Sequence, residues 1–217
     1  PSADKELFVP SIVKGGFYHS GQVCVSVQRV FSFGASTEEL AESIADKVSN
    51  LVVGNAIHAE TQCGPLIRNR EVERVEAWVA EAVEAGAQVL CGGKRLTDSC
   101  YAPTVILNPP ENCRVSTHEI FGPVISVYEK KSMDDAILQA NSLPFAFQAS
   151  VFSNDYAEIM EGFNRLDGSA IMVNDHSAFR VDWMPFAGRK SSGLGVGGIP
   201  HTIEEMSQSK MAVLSFN

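Results

Sequence analysis

The residues best suited to chemistry lie near the beginning of the chain, in the segment FYHSGQVCVS at positions 17–26. Its cysteine, Cys24, follows a predicted helix and a glycine, and a β-branched run comes after it. A thiol attacks as its thiolate, which needs a local positive field or a nearby base to form at neutral pH. A lone cysteine is more often a small buried core residue than a nucleophile. The nucleophile hypothesis for Cys24 therefore depends on motifs elsewhere in the sequence.

The elements that would position this segment alternate between helices and strands. Apolar residues at helical spacing predict helices over 4–20, 36–51, 68–85, 132–140, 155–165 and 202–206. β-branched and apolar runs predict strands over 23–33, 88–91, 102–107, 124–128, 147–152, 169–173 and 211–216. Ser2 is a candidate N-cap of the first helix, and Ser36 with Glu39 forms a capping box. The alternation predicts an α/β fold with a mostly parallel sheet flanked by helices on both faces.

Composition limits the partners of the chain. The 217 residues carry a net charge of -9 and are 45% hydrophobic, which is typical of a globular protein. An acidic chain is a poor ligand for nucleic acid, since phosphate backbones are bound by clustered Lys and Arg. The sequence has no apolar run long enough for a membrane span, so we expect no membrane partner.

The cysteine pattern indicates the compartment. Five cysteines are present, without any C-x-x-C spacing. An odd number without paired spacing favours reduced thiols in the cytoplasm over a disulfide framework, and it predicts no metal site.

A glycine-rich stretch imitates a cofactor motif. Residues 193–198, GLGVGG, satisfy the G-x-G-x-x-G pattern of dinucleotide-binding folds. That pattern requires a strand before it, a helix opening at its last glycine and an acidic residue about twenty positions later. Lys190-Ser191-Ser192 precedes it, Pro200 follows it, and the region near residue 215 has no acid. The stretch is interpreted as a glycine loop.

Four motifs in a fixed order resemble those of the aldehyde dehydrogenase superfamily. Phe17-x-x-x-Gly21-Gln22-x-Cys24 resembles its nucleophile motif, and Glu119-x-Phe121-Gly122-Pro123-Val124 resembles its nicotinamide-side coenzyme motif. Asn174 followed by PFAGRKSSGLG at 185–195 resembles its C-terminal signature. The segment from Gly54-Asn55 to TQCGPLI at 61–67 resembles its linking segment.

The resemblance implies the activity and assigns the residues. The family oxidises aldehydes to carboxylic acids with NAD or NADP, through a cysteine thiohemiacetal and a thioester. Cys24 matches the nucleophile, Glu119 the carboxylate that binds the nicotinamide ribose, and Phe121 the aromatic beside the nicotinamide ring. Phe179 and Phe186 match positions that line the aldehyde tunnel. The alternatives are a solvated surface acid for Glu119 and ordinary core residues for the phenylalanines.

The resemblance covers only part of the family pattern. The family's second glycine after Pro-Phe is Ala187 here. The general base, the oxyanion asparagine and the coenzyme-binding domain would lie upstream of this chain, and Glu6 is expected to be a surface acid. Residues 1–207 are thus expected to form a catalytic domain, and 208–217 a strand for subunit association in a homo-oligomer. The chain is expected to need the missing coenzyme-binding half and to be inactive alone.

The substrate is less well defined. Arg180 stands next to Phe179, and an arginine suits a planar anionic group. The surrounding sequence is similar to that of family subgroups that act on phosphonoacetaldehyde or lactaldehyde. A surface ion pair between Arg180 and Asp182 is an equal alternative. Two other functions stay open: a non-catalytic oligomerising module of the same fold, and a cofactor-independent thiol esterase that uses Cys24.

Overall fold

The computed structural model describes residues 3–34 and 36–216. Seven helices occur in this part of the chain: α1 Lys5–Phe17, α2 Thr37–Ser49, α3 Asn69–Glu84, α4 Arg114–Thr117, α5 Met133–Asn141, α6 Tyr156–Arg165 and α7 Ile199–Glu205. The strands are β1 Arg29–Phe33, β2 Gln88–Cys91, β3 Thr104–Leu107, β4 Val124–Lys130, β5 Phe145–Ala146, β6 Gln148–Val151, β7 Ala170–Val173 and β8 Arg189–Lys190. A 3-10 turn, Tyr18–Gly21, follows α1.

The central sheet has four strands in the order β1-β4-β3-β2. β1 and β3 both run parallel to β4, whereas β2 pairs with β3 in the antiparallel sense. The registers place Arg29 opposite Ser126 and Thr104 opposite Val124. The prediction of a mostly parallel sheet is confirmed.

Side chains on the two inner strands alternate between two cores. Val105, Leu107, Ile125 and Val127 belong to the core that includes α1 and α2. Their neighbours Ile106 and Val124 belong to the core built with α3. Because successive residues of a strand point to opposite faces, a strand buried on both sides needs apolar residues in both registers. Helices therefore cover both faces of this sheet, as predicted.

A smaller layer stands beside the central sheet. β6 runs parallel to β7 and packs against α6, while β5 and β8 form a short antiparallel pair. Asn174 joins the ends of β6 and β7, since its side chain accepts from the Ser153 N–H at 2.9 Å and donates to the Ser153 carbonyl at 3.0 Å. Within the described residues, β1 and β6 each keep one edge without a strand partner, and both edges line the same cavity.

The region around Cys24 differs from its prediction. The predicted helix over 4–20 ends at Phe17, and Asp4 is its N-cap, while Ser2 lies outside the described residues. The predicted strand over 23–33 begins only at Arg29. His19, Ser20 and Gly21 take left-handed conformations, with φ of 51°, 55° and 70°. This turn and the irregular residues after it replace the expected helix-to-strand junction.

Two further differences concern the glycine-rich loop and the end of the chain. Helix α7 spans Ile199–Glu205, so it begins directly after Gly198 and a few residues before the predicted start at 202. The segment before the glycines is a two-residue antiparallel strand, β8, rather than the strand of a dinucleotide fold. Residues 211–216 form no strand in the described chain, and Met211, Val213, Leu214 and Phe216 are exposed.

A pair of glycines lets α1 approach the sheet. A Cβ on Gly15 would lie 2.5 Å from His176 Cβ and 2.9 Å from Val27 Cγ2. Gly15→Ala should therefore lower the free energy of unfolding by about 1–3 kcal/mol, despite alanine's better helix propensity, because both neighbours belong to fixed backbone segments. Urea unfolding measures this change. Gly64→Ala is the control, since a Cβ there would lie 3.7 Å from Ala56 Cβ, an ordinary van der Waals contact. An equal loss of stability in both variants would contradict the role given to Gly15.

Candidate active site

A cavity of about 910 Å³ lies between the central sheet and the smaller layer. Cys24, Glu119 and Phe121 all line it, although Glu119 and Cys24 are far apart in the sequence. Much of the remaining wall is apolar and comes from α1, β1, α5 and β6. The fold thus places a thiol, a carboxylate and an aromatic ring around one space.

Side-chain and backbone hydrogen bonds fix the segment that carries Cys24. The Ser26 N–H donates to the Val23 carbonyl at 3.0 Å, which closes a turn around Cys24. The Ser26 hydroxyl donates to the Gly16 carbonyl at 3.2 Å. The Ser177 hydroxyl donates to the carbonyl of Val25 at 2.8 Å. The residue after the cysteine is therefore held from a distant part of the chain, while Cys24 itself stays exposed.

The turn before Cys24 is tied to the segment at 63–67. The Gln22 side chain donates to the Pro65 carbonyl at 3.3 Å and accepts from the Ile67 N–H at 2.9 Å. The Ser20 hydroxyl donates to the Gly64 carbonyl at 2.8 Å. These bonds offset part of the cost of two non-glycine residues in the left-handed region.

Gly21 brings the turn against the loop that carries Glu119. A Cβ on Gly21 would overlap the carbonyl oxygen of Gly122, and the φ of +70° also favours glycine. Two of the sequence motifs therefore touch through backbone alone. This contact limits how closely the segment of Cys24 and the loop of Glu119 can approach each other.

Three side-chain hydrogen bonds hold the Glu119 loop. Gln28 donates to the His118 carbonyl at 2.6 Å and accepts from the Ile120 N–H at 3.0 Å. Arg74 donates to the Ile120 carbonyl at 2.7 Å. Partial desolvation raises the pKa of Glu119, and the nearby Arg74 guanidinium opposes that shift. Phe121 has a left-handed φ of 46°, which is unusual for a bulky residue.

The three predicted tunnel residues lie outside this cavity wall. Phe179 is 44% exposed, and its N–H donates to the His176 carbonyl at 3.2 Å. The Arg180 guanidinium lies 4.1 Å from the ring centroid of Phe186. Phe186 in turn packs edge-on against Phe147, which does line the cavity. No ion pair joins Arg180 to Asp182 in the described chain, although both border a smaller cavity of about 340 Å³.

The other four cysteines differ from Cys24 in burial. Cys63, Cys100 and Cys113 are buried and Cys91 is half-buried. Burial raises the pKa of the Cys63 thiol to about 11, and it also raises the pKa of Cys91 and Cys113. Since the thiolate is the reactive form, these thiols are poor nucleophiles at neutral pH.

No group of three or more His, Cys, Asp or Glu side chains in 3–34 and 36–216 is arranged to hold a metal ion. Within those residues, no helix combines the length and the apolar character that crossing a membrane would need.

Sequence analysis missed the residues that position the site. Ser177 and Gln28 reach partners 152 and about 90 positions away, and Arg74 reaches across 46. No local pattern distinguishes such residues from surface polar residues. In the sequence, only the short separation of Gln28 from Cys24 could have indicated that Gln28 belongs to the site.

An exposed thiol beside a carboxylate and an aromatic ring is suited to covalent catalysis on a small electrophile, with a bound planar cofactor nearby. A model of the aldehyde dehydrogenase family matches residues 1–212. The chain belongs to the aldehyde dehydrogenase family.

Two curated relatives align over nearly all of this aldehyde dehydrogenase family chain. A 3-sulfolactaldehyde dehydrogenase of Priestia aryabhattai is 38% identical over 213 residues, which are 98% of this chain and 44% of the relative. A lactaldehyde dehydrogenase of Methanococcus maripaludis is 39% identical over 98% of this chain and 45% of the relative. The chain therefore spans less than half the length of these relatives.

A solved structure shows the same fold. The glyceraldehyde-3-phosphate dehydrogenase of Methanocaldococcus jannaschii, complexed with NADP, superposes with a TM-score of 0.91 at 33% identity. The match covers 95% of this chain and 45% of that one. The prediction of an aldehyde dehydrogenase catalytic-domain fold is confirmed.

Cys24 should be alkylated faster than the other four cysteines, because it is exposed whereas Cys63, Cys100 and Cys113 are buried and Cys91 is half-buried. Limiting iodoacetamide followed by peptide mapping measures the order of modification. Cys24→Ser is the control and should remove the fast phase while leaving the slow ones. If Cys91 or Cys113 reacts first in the folded chain, the assignment of Cys24 is wrong.

Proposed function

We propose that this chain is the catalytic portion of an NAD(P)-dependent aldehyde dehydrogenase, with Cys24 as its nucleophile. The observation that carries the proposal is the shared cavity of Cys24, Glu119 and Phe121. Family membership supports it, as does the NADP bound by the Methanocaldococcus neighbour.

The described residues fit the nicotinamide end of such a cofactor. Glu119 offers an exposed carboxylate that can accept hydrogen bonds from ribose hydroxyls. Phe121 is 42% exposed and borders the same cavity, so its ring can contact a planar heterocycle. When bound, NAD or NADP would supply the oxidant that accepts a hydride from the substrate.

The chain's own residues account for the covalent steps. The Cys24 thiolate attacks the aldehyde carbon, which gives a thiohemiacetal on Sγ. Loss of the substrate hydride leaves a thioester, and water cleaves its carbon–sulfur bond to release the acid and regenerate the thiol. The Cys24 N–H belongs to the residue that carries the reacting sulfur and would donate to the developing oxyanion, where preorganised donors have their largest effect.

The general base of the reaction would come from another part of the enzyme. In residues 3–34 and 36–216, no carboxylate or imidazole is hydrogen-bonded to the Cys24 thiol. Glu6 is exposed at the first turn of α1, where its N–H donates to the Asp4 carboxylate at 2.9 Å. A coenzyme-binding half would supply the base and the remainder of the cofactor site.

The proposed substrate is a short aldehyde with a hydroxyl or an anionic group. Two relatives are named for 3-sulfolactaldehyde and lactaldehyde. Arg180 stays a candidate for the anionic group, because its guanidinium is exposed and is oriented by stacking on Phe186. Phe179 and Phe186 stay candidates for the wall of the tunnel, which the second half of the enzyme would complete.

The chain alone should not oxidise lactaldehyde with NAD or NADP, because residues 3–34 and 36–216 place no base in a hydrogen bond with Cys24 and form no dinucleotide-binding sheet. Mixing it with a separately produced coenzyme half should restore activity. A suitable half is the part of the Methanococcus maripaludis relative that this chain does not match. Formation of the reduced cofactor, followed by its absorbance, measures the effect.

Cys24→Ser is the control for this mixture and should abolish the restored rate. Steady cofactor reduction by the chain alone would overturn the requirement for a second half. Hydrolysis of p-nitrophenyl acetate that depends on Cys24, without any aldehyde oxidation in the mixture, would favour the thiol esterase alternative.

The C-terminal segment 208–216 is proposed to associate with another polypeptide. Its apolar residues are exposed, and burial of Val213, Leu214 and Phe216 would contribute on the order of 1.5–3 kcal/mol each before ordering costs. The isolated chain should therefore self-associate with rising concentration, and removal of residues 208–217 should reduce this. Light scattering measures the mass.

A pair of point variants separates strand pairing from a general charge effect. Leu214→Asp should weaken self-association, whereas Ser215→Asp adds the same charge at a polar position and should weaken it less. A full chain that stays monomeric at every concentration would contradict the proposal.

A further inference from the structure

Gln28 bridges the two peptide groups that adjoin Glu119. Its side-chain nitrogen donates to the His118 carbonyl at 2.6 Å, and its oxygen accepts from the Ile120 N–H at 3.0 Å. One carboxamide thus forms hydrogen bonds with the carbonyl of the residue before Glu119 and with the N–H of the residue after it. Ile120 is 1% exposed, so its N–H has no access to water as a substitute partner.

The backbone of Gln28 is itself fixed by the central sheet. Its carbonyl accepts from the Ser126 N–H at 2.9 Å, one residue before β1 begins. The preceding residue, Val27, donates its N–H to the Gly15 carbonyl of α1 at 3.1 Å. The Gln28 side chain therefore extends from a rigid base.

The same short segment carries the nucleophile. Cys24 lies four positions before Gln28, and the turn between them is closed by the bond from Ser26 to Val23. The Gln28 side chain therefore connects the segment that carries the Cys24 thiol with the backbone on both sides of Glu119. The Gly21–Gly122 contact limits the approach of the two segments but does not determine where residue 119 stands.

Arg74 supplies the other restraint on the loop. It donates to the Ile120 carbonyl, forms an ion pair with Glu71 at 2.8 Å and lies 4.6 Å from the Trp78 ring centroid. This restraint comes from α3, outside the nucleophile segment. It ties the loop to α3, and within the described residues Arg74 makes no hydrogen bond to the segment that carries Cys24, whereas Gln28 belongs to that segment.

We propose that Gln28 is a positioning residue that fixes the Glu119 backbone relative to the Cys24 thiol. Its effect on chemistry rests on the proposed function, since Glu119 is there the group that binds the nicotinamide ribose. Placement of that carboxylate decides how far the cofactor ring stands from the reacting carbon. Catalytic groups work only when neighbouring side chains hold them in a narrow range of positions.

Two variants and one matched control test this role in the full chain. Gln28→Met keeps the length of the side chain and removes both hydrogen bonds. Gln28→Glu keeps the acceptor for the Ile120 N–H and, when ionised, loses the donor to the His118 carbonyl. Gln22→Met is the control, because Gln22 is also a bridging glutamine beside Cys24 but bonds Pro65 and Ile67 instead.

The main measurement is paramagnetic broadening of the Glu119 amide by a nitroxide attached to Cys24. In the wild type this broadening should report one short, fixed separation. Gln28→Met should reduce it and should also lower the protection of the Ile120 amide from hydrogen exchange. Gln28→Glu should keep the Ile120 protection but show reduced broadening, and Gln22→Met should leave the Ile120 protection unchanged.

Carbon-13 titration of the Glu119 carboxyl is a readout that needs no label on Cys24. The loop released in Gln28→Met should become better solvated, so the pKa of Glu119 should fall from its raised position, with Arg74 still opposing the shift. A purely structural role would lower the melting temperature and leave both readings of the folded state unchanged. That result would overturn the proposal, whereas failure of Cys24 to take the label would count against the proposed function alone.

Discussion

The site depends on the contact between two glycines from distant parts of the chain. Gly21 presents its backbone directly to the carbonyl of Gly122, and no side chain can be accommodated between them. Gly21 ends a left-handed turn that begins at His19, while Gly122 follows Phe121, itself in a left-handed conformation. Conformational strain on both sides of a contact is maintained only when the surrounding structure determines it fully. Here that surrounding structure is the two-sided core of the central sheet.

The core explains why so strained a pair of loops can be stable. Gly15 and Gly16 let α1 lie against Val27, Ile125 and His176. This brings the turn before Cys24 to the beginning of β1 and β4. On the other face, Val75 packs close to Gly122, so α3 supports the Glu119 loop from behind. One helix on each face thus supports one of the two motifs. Packing that is as dense as an organic crystal transmits such constraints over the thickness of the sheet.

Much of the fold could be predicted because its signals are local. Ser36 and Ser132 cap α2 and α5 as their positions indicate, each accepting a hydrogen bond at 3.2 Å from the N–H three residues later. β2 was predicted with its observed ends, and α6 and α7 were placed to within a few residues. The start of β1 was missed because Val23, Val25 and Val27 have strong strand propensity, yet tertiary hydrogen bonds to α1 and to Ser177 hold them in an irregular path.

The site was only partly accessible to sequence reasoning. Motif resemblance identified Cys24, Glu119 and Phe121, which line one cavity, but their roles are still predictions. It could not identify Gln28, Arg74 or Ser177, since their importance arises from partners that folding brings near. It also could not place Phe179, Arg180 and Phe186, because the Gly-rich region around them has no periodicity from which a direction could be inferred.

The open edge of β1 has a consequence for the solubility of the chain during synthesis. The strand RVFSF is short and β-prone, and a strand with one free edge can recruit similar strands from neighbouring molecules. Arg29 stands at its first position and donates to the carbonyls of Gln139 and Ala140, at the C-terminal end of α5. A guanidinium at the C-terminal end of α5 favours docking of that helix. It also hinders pairing of identical β1 strands, because their positive charges would then lie side by side. Within the described residues one edge of β1 has no strand partner, and there the charge of Arg29 would act against pairing with an identical strand.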